Sequence, residues 1–120
     1  MFSWLDVIPY LTIDAVEATL RTIAACQSGS EVAIEYGLKD PFLDDFAREF
    51  RASLSPLEAT YGEPLQTQWS LTEEEQAVAR CSLRVADHSS RDDLASRYFA
   101  DRTDGLQPWG APRLLAAIVP

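Results

Sequence analysis

The sequence feature that most constrains the fold is a strand–helix–strand pattern in residues 2–36. An apolar segment over residues 2–7 precedes an amphipathic helix with Thr12 as the predicted N-cap and Gly29 just beyond its end. The apolar stripe of this helix is Ile13, Val16, Leu20, Ile23 and Ala24. Apolar and polar residues then alternate over 31–36, which is the period of a strand. Because the joints are short, we predict a βαβ unit whose two strands lie parallel.

The composition of the 120-residue chain indicates one globular domain with an acidic surface. The net charge of -9 argues against a nucleic-acid partner, because phosphate binding needs clustered Lys and Arg. No apolar run approaches the roughly 20 residues that span a bilayer, and no basic segment precedes an apolar run as in a signal peptide. We therefore predict a cytoplasmic protein without a membrane segment, in which Cys26 and Cys81 are reduced, buried thiols rather than a disulfide.

The rest of the chain alternates predicted helices with predicted strands. A second helix is expected from Pro41 to about Leu54, with Asp40 as its N-cap, and an irregular segment of about fifteen residues leads to Trp69, which should pin it to the core. A third helix starts at the capping box of Ser70 and turns these residues inward: Leu71, Ala77, Val78 and Cys81. A short strand near 83–86, a helix after Ser90 and an apolar strand over 114–119 complete the order β-α-β-α-α-β-α-β, which predicts an α/β sheet.

No sequence motif identifies a chemistry by itself. The five glycines are scattered and form no cofactor-binding loop, and no Cys/His spacing indicates a metal site. We interpret His88, the only histidine, as a surface residue at a strand end. In an α/β sheet the ligand crevice lies at the carboxyl ends of the strands, so the candidates are the hydroxyls and carboxylates that follow them. These are Asp6, Tyr10, Tyr36, Asp40 and the segment after Tyr98.

Three segments carry a resemblance to a known family: FSWLDVIPYLTIDAVEATLRTIA, SGSEVAIEY and RYFADRTDGLQP. With them the chain resembles the C-terminal half of a bacterial S-adenosylmethionine-dependent methyltransferase, of the family similar to leucine carboxyl methyltransferases. The resemblance covers essentially the whole chain, and its most specific parts are the Tyr-Leu-Thr helix start and the Tyr-Phe-Ala-Asp-Arg-x-Asp-Gly-Leu turn. It implies a class I, Rossmann-like sheet that Met1 enters midway, with the end of strand four, strands five and six, and an antiparallel strand seven.

The resemblance also implies a cofactor and a substrate wall. S-adenosylmethionine would be the methyl donor, and Leu5 and Asp6 would lie at the strand end on the cofactor side. Relatives usually carry Gly at the position of Asp6, and the family's glycine-rich cofactor motif has no counterpart here. The residues of the substrate wall would be Tyr10, Tyr36, Asp40, Tyr98 and Arg102. Arg102 would pair with a substrate carboxylate, or alternatively with Asp101 or Asp104.

Two functions follow from these patterns, and neither assigns a catalytic residue. In the first, the chain is the substrate-side half of an S-adenosylmethionine-dependent O-methyltransferase for a carboxyl or small-molecule acceptor, inactive alone because the glycine-rich motif is absent. In the second, it is a non-catalytic α/β interaction module, or a truncated gene product, that dimerises through an open sheet edge.

Overall fold

The computed structural model describes residues 1–120 as a four-stranded sheet with four α-helices. The strands are β1 (Phe2–Trp4), β2 (Glu31–Gly37), β3 (Arg84–Ser89) and β4 (Pro112–Ile118). The helices are α1 (Ile13–Ala24), α2 (Asp45–Thr60), α3 (Leu71–Arg80) and α4 (Arg91–Tyr98). Short 3-10 turns cover Ile8–Tyr10 and Asp40–Phe42. None of the helices is long and apolar enough to span a bilayer.

The strands follow the order β1-β2-β4-β3 across the sheet. β1 pairs with β2 in parallel, with Phe2 opposite Val32, which confirms the predicted βαβ unit. β4 lies between β2 and β3 and runs antiparallel to both. The predicted α/β class is therefore confirmed, and the antiparallel last strand agrees with the resemblance. The sheet is compatible with part of a Rossmann-like fold.

The hydrophobic core draws on one face of the sheet together with α1 and α3. Alternate residues of β2 and β4 are buried in it, while the residues between them are only half-buried. The buried members from the sheet are Val32, Ile34, Tyr36, Leu115 and Ala117, and those from the two helices are Val16, Leu20, Ile23, Ala77 and Val78. Burial of each large apolar side chain stabilises the fold by roughly 1.5–3 kcal/mol. The predicted stripe of α1 is thus buried except at Ile13 and Ala24, which lie at its two ends.

Side-chain caps fix where three of the helices begin. Thr12 accepts a hydrogen bond of 3.3 Å from the backbone N–H of Ala15 at the start of α1, as predicted. At α3, Ser70 and Glu73 form both bonds of the predicted capping box. The Lys39 ammonium and the Ser70 backbone N–H lower the pKa of Glu73 to about 2, so this cap stays charged. Ser90 caps α4 in the same way.

The second helix begins later and ends later than predicted. α2 begins at Asp45, because Asp44 rather than Asp40 accepts the bond of 2.7 Å from a first-turn backbone N–H. Asp40 instead opens a 3-10 turn. The helix continues through Pro56 to Thr60, since a proline removes one backbone hydrogen bond without ending a helix that is held elsewhere. The irregular segment before Trp69 is correspondingly shorter than fifteen residues.

The first strand is shorter than predicted. β1 ends at Trp4, and Asp6 then adopts φ +56°, which turns the chain away from the sheet. Pro9 lies in the 3-10 turn that follows and has no N–H to donate to a strand ladder. β1 is consequently a three-residue outer strand of the sheet.

The two cysteines are both free thiols, in different environments. Cys81 is buried at the end of α3, as predicted, and burial raises the pKa of its thiol. The predicted burial of Cys26 is wrong, because α1 ends at Ala24 and leaves the next turn exposed.

Candidate functional site

A cleft of about 230 Å³ opens at the carboxyl ends of β1 and β2. The segment after β1, the end of β2, the start of β4 and one side of α2 form its walls. The polar lining residues are Asp6, Tyr10, Glu35, Arg51, Glu58 and Gln68. The apolar lining includes Pro9, Leu54, Leu65 and Trp109. This is the crevice position predicted for an α/β sheet.

Asp6 reaches the cleft through a strained backbone conformation. Its φ of +56° is left-handed, which costs most L-residues about 1–2 kcal/mol but is tolerated by Asp. Glycine adopts this conformation without that cost. Leu5, the other predicted cofactor-side residue, is half exposed and does not line the cleft.

Tyr10 and Glu58 face each other across the cleft. The Tyr10 hydroxyl donates a long hydrogen bond of 3.5 Å to Oε1 of Glu58. Oε2 of Glu58 is buried and has no hydrogen-bond partner. Burial, followed by the negative charges of Glu58 and Asp6, raises the pKa of Tyr10, so its hydroxyl stays protonated and can orient a ligand. Tyr10 lies where the sequence placed it, whereas Glu58 was not predicted.

Glu35 adds a further carboxyl group to the same cleft. Burial raises its pKa, and the negative charge of Asp6 raises it further. The cleft therefore holds three carboxyl groups, those of Asp6, Glu35 and Glu58, around a single arginine.

Arg51 is the cation of the cleft, and it is only 8% exposed. Its Nη1 donates to the backbone oxygen of Leu38 and, at 2.9 Å, to Oδ1 of Asp40. Its Nη2 makes no hydrogen bond within the chain and lies 3.6 Å from the position that a Cβ on Gly37 would take. Asp40 was predicted to line the substrate wall, but it does not line the cleft. The side chain of Arg51, from α2, lies between Asp40 and the cleft.

Tyr36 lines the cleft, but its hydroxyl points away from it, contrary to the prediction that this group faces a ligand. Tyr36 is 1% exposed, and its hydroxyl lies 2.7 Å from Nε2 of His88, under α3. Nδ1 of His88 in turn lies 2.8 Å from Oε1 of Glu75. Burial raises the pKa of Tyr36, so the phenol stays protonated. His88 is therefore not the surface residue predicted from its strand-end position, since β3 turns it towards Tyr36.

Glu74 lies beside this network and is a buried carboxyl that the sequence reasoning missed. It is completely buried, and neither of its oxygens has a hydrogen-bond partner. Burial, together with the charge of Glu75, raises the pKa of Glu74 to about 8. Its spacing of three and four residues from Ala77 and Val78 was the available signal, whereas Leu71, predicted to point inward, is half exposed.

Tyr98 and Arg102 lie outside the cleft. Tyr98 is 68% exposed at the end of α4. Arg102 forms an ion pair with Asp104, two residues away, and its guanidinium lies over the ring of Phe99. The alternative of a local pair for Arg102 is the one that the structure shows, and the predicted place of both residues in the substrate wall is corrected.

Trp69 holds the irregular segment against the end of β2, as predicted. It is 5% exposed, and its backbone pairs with Gly37 and Lys39. This contact brings Gln68 to the cleft wall. No three His, Cys, Asp or Glu side chains of the chain are arranged to hold a metal ion.

Comparison with known proteins identifies a fold and no family. No protein-family model and no curated protein matches the chain. The crystal structure of TnmH is similar to it, with a TM-score of 0.64 at 16% sequence identity. The match covers 98% of this chain and 30% of TnmH, so the chain spans about a third of the length of TnmH. The two share an α/β fold. The leucine carboxyl methyltransferase family stays a prediction.

Proposed function

We propose that this chain forms the acceptor-binding side of an S-adenosylmethionine-dependent O-methyltransferase that acts on a carboxyl or small-molecule hydroxyl group. The observation that supports this most directly is the cleft at the carboxyl ends of β1 and β2, where open α/β sheets bind their ligands. The fold shared with TnmH supports an α/β sheet of the kind that this function needs. The identity of the methyl donor rests on the sequence resemblance.

The residues of the cleft suit this chemistry. When bound, S-adenosylmethionine supplies a methyl group on a positively charged sulfur, and the carboxylate of Asp6, just after β1, provides complementary negative charge. Transfer to oxygen depends mainly on positioning of the acceptor. The Tyr10 hydroxyl can orient the acceptor. Oε2 of Glu58, which has no hydrogen-bond partner, can accept a hydrogen bond from the acceptor.

The sheet presents only one side of such a site. β1 is an outer strand of the four-stranded sheet, so within this chain the cofactor would contact only the end of β1. We expect the isolated chain to bind S-adenosylmethionine more weakly than micromolar.

Amide NMR titration with S-adenosylhomocysteine, and separately with para-hydroxybenzoate, tests this function. We expect the first ligand to shift Leu5 and Asp6, and the second to shift Tyr10, Gln68 and the Trp109 indole. Asp6→Asn should weaken the first set of shifts, and Asp14→Asn, on α1 outside the cleft, serves as the control. If S-adenosylhomocysteine at millimolar concentration shifts no residue at the end of β1, the proposed function is wrong.

The open edge of β1 favours a second candidate function, pairing with a second copy of the chain. β1 has an unpaired outer side and contains neither proline nor a charged residue that would block pairing. Phe2, Leu5 and Val7 beside this edge are all substantially exposed. Sedimentation equilibrium should then show a dimer that Phe2→Lys abolishes. A monomer at every concentration would exclude this candidate.

A further inference from the structure

The cleft contains a buried cation with an unused donor. Arg51 is 8% exposed, so its guanidinium is largely removed from water, and it remains charged because arginine does not deprotonate in proteins. Nη1 is occupied by Leu38 and Asp40, whereas Nη2, beside Gly37 in the cleft wall, has no acceptor within the chain. A ligand carboxylate is the acceptor that guanidinium geometry favours.

The other polar residues of the cleft need a positively charged partner, whereas Arg51 needs a negatively charged one. Asp6, Glu35 and Glu58 bring three carboxyl groups to one small cleft, and Oε2 of Glu58 is buried without a donor. The charge of Asp6 acts on Glu35, so the two face the same space. Since Asp40 already pairs with Arg51, the cleft carries excess negative charge that a ligand ammonium would compensate.

Neither charge alone satisfies this lining. A simple anion would meet Arg51 but would be repelled by the three carboxyl groups. A simple cation would pair with the carboxylates but would leave Nη2 of Arg51 unsatisfied. A molecule that carries both groups pairs with both sets of residues.

The size and apolar walls of the cleft limit what the rest of the ligand can be. Its volume of about 230 Å³ lies below the roughly 300–1,000 Å³ of drug-sized sites, which suits a small molecule. Leu54, Leu65 and Trp109 provide apolar and aromatic contacts for a ring or an alkyl chain.

We infer that the cleft binds a small zwitterion of the amino-acid type, with its carboxylate on Arg51 and its ammonium among Asp6, Glu35 and Glu58. The inference rests on the proposed function only in making this ligand the methyl acceptor. The binding itself needs no cofactor and can be measured separately.

Three ligands with the same phenol ring test the inference: free tyrosine, tyramine, which lacks the carboxylate, and phloretate, which lacks the amine. Titration of the whole chain, followed through the Trp109 indole NMR signal, should show tyrosine binding at least about tenfold more tightly than either of the others. Arg51→Gln should remove the advantage of tyrosine over tyramine. Glu58→Gln should remove its advantage over phloretate.

Two further variants make the result specific. Arg48→Gln, one turn earlier on α2 and outside the cleft, should change none of the three affinities. Gly37→Ala introduces a Cβ at ordinary contact distance from Arg51 and Pro9, so it should leave the fold intact while weakening all three ligands. It therefore tests the cleft even if Arg51→Gln does not fold.

Equal affinities for tyrosine and tyramine, or tyrosine binding that is unchanged in Gly37→Ala, would overturn the inference. If tyrosine binds as expected but S-adenosylhomocysteine shifts no residue at the end of β1, the proposed methyltransferase function fails and the zwitterion site stands. If S-adenosylhomocysteine shifts the residues at the end of β1 but tyrosine does not bind as expected, the zwitterion site is wrong and the proposed methyltransferase function stands.

Discussion

Adjacent residues of β2 lead to two polar regions that differ in how completely their groups are paired. Tyr36 points under α3, where its hydroxyl, His88 and Glu75 form a closed chain of bonds of 2.7 and 2.8 Å. Glu35 points to the other face of the sheet and lines the open cleft with Arg51. Groups that satisfy one another contribute to the fold, whereas groups with unused donors and acceptors are available to a ligand.

The two regions also differ in how they bury a charged group. Glu74, beside the closed network, has no partner, and it can remain buried because it can take up a proton. Arg51 has no neutral form to adopt, so the segment between β2 and α2 supplies Leu38 and Asp40 as acceptors for one of its nitrogens. We therefore expect the closed region to make the stability of the fold depend on pH, and the open region to bind a ligand.

The largest predicted effect is the pH dependence that Glu74 gives to stability. Its folded pKa of about 8 lies above the ordinary 4.5, so the folded state binds more protons in this interval. The free energy of unfolding should then fall as pH rises from 4.5 to 8, by an amount on the order of 4 kcal/mol. Glu74→Gln should abolish most of this slope and be the more stable form at pH 8.

Urea unfolding at several pH values between these limits measures the slope. Glu49→Gln, which removes an exposed carboxylate from α2, is the matched control and should leave the slope unchanged. A wild-type stability that is flat over this interval would show that Glu74 is charged and solvated, contrary to its burial.

The next effect separates the closed network from the cleft. Tyr36→Phe removes the hydroxyl and leaves Nε2 of His88 without its partner, which should cost about 1–3 kcal/mol of stability. Because that hydroxyl does not face the cleft, the affinity for free tyrosine should not change. Urea unfolding and NMR titration of the same sample measure both quantities. A loss of affinity without a loss of stability would place the Tyr36 hydroxyl in the ligand site.

The difference between these regions also explains what the sequence could predict. Local patterns were sufficient to predict β2 and the caps at Thr12, Ser70 and Ser90, because each depends on neighbouring residues. The crevice at the carboxyl ends of the strands followed from the predicted α/β class. Alternation also put Tyr36 on the same side of β2 as Val32 and Ile34. It did not reveal that the hydroxyl would meet His88, 52 residues away, because that contact depends on how β3 pairs with β4.

The open region was less predictable because it depends on the position of one helix. Arg51 and Glu58 enter the cleft because α2 starts at Asp45 and continues past Pro56. The predicted helix began at Pro41 and ended near Leu54, so it gave no means to place Glu58 at the site. Asp40 was predicted to face the ligand because it follows β2 in the sequence, whereas the structure pairs it with Arg51 outside the cleft.

A smaller effect concerns the strained residue at the rim of the cleft. Asp6→Val places a β-branched side chain at φ +56° and should cost about 1–2 kcal/mol, while Asp6→Gly should change stability by less, because glycine adopts this conformation freely. Both variants remove a carboxylate, so both should weaken tyramine binding equally. The pair separates backbone strain from charge through urea unfolding and NMR titration. Equal stability for the two variants would show that φ at residue 6 is not constrained.

The smallest predicted effect tests which of two arginines, Arg51 or Arg102, binds the carboxylate of a ligand. Arg102 and Asp104 form a half-exposed pair on a turn outside the cleft, and such pairs contribute little to stability. Arg102→Ala should therefore leave the urea midpoint within measurement error and the affinity for phloretate unchanged, whereas Arg51→Gln should weaken phloretate. If Arg102→Ala weakened phloretate instead, the turn at residues 101–105 would have to move over the cleft when the ligand binds. The open region would then extend to the segment that the sequence resemblance first indicated.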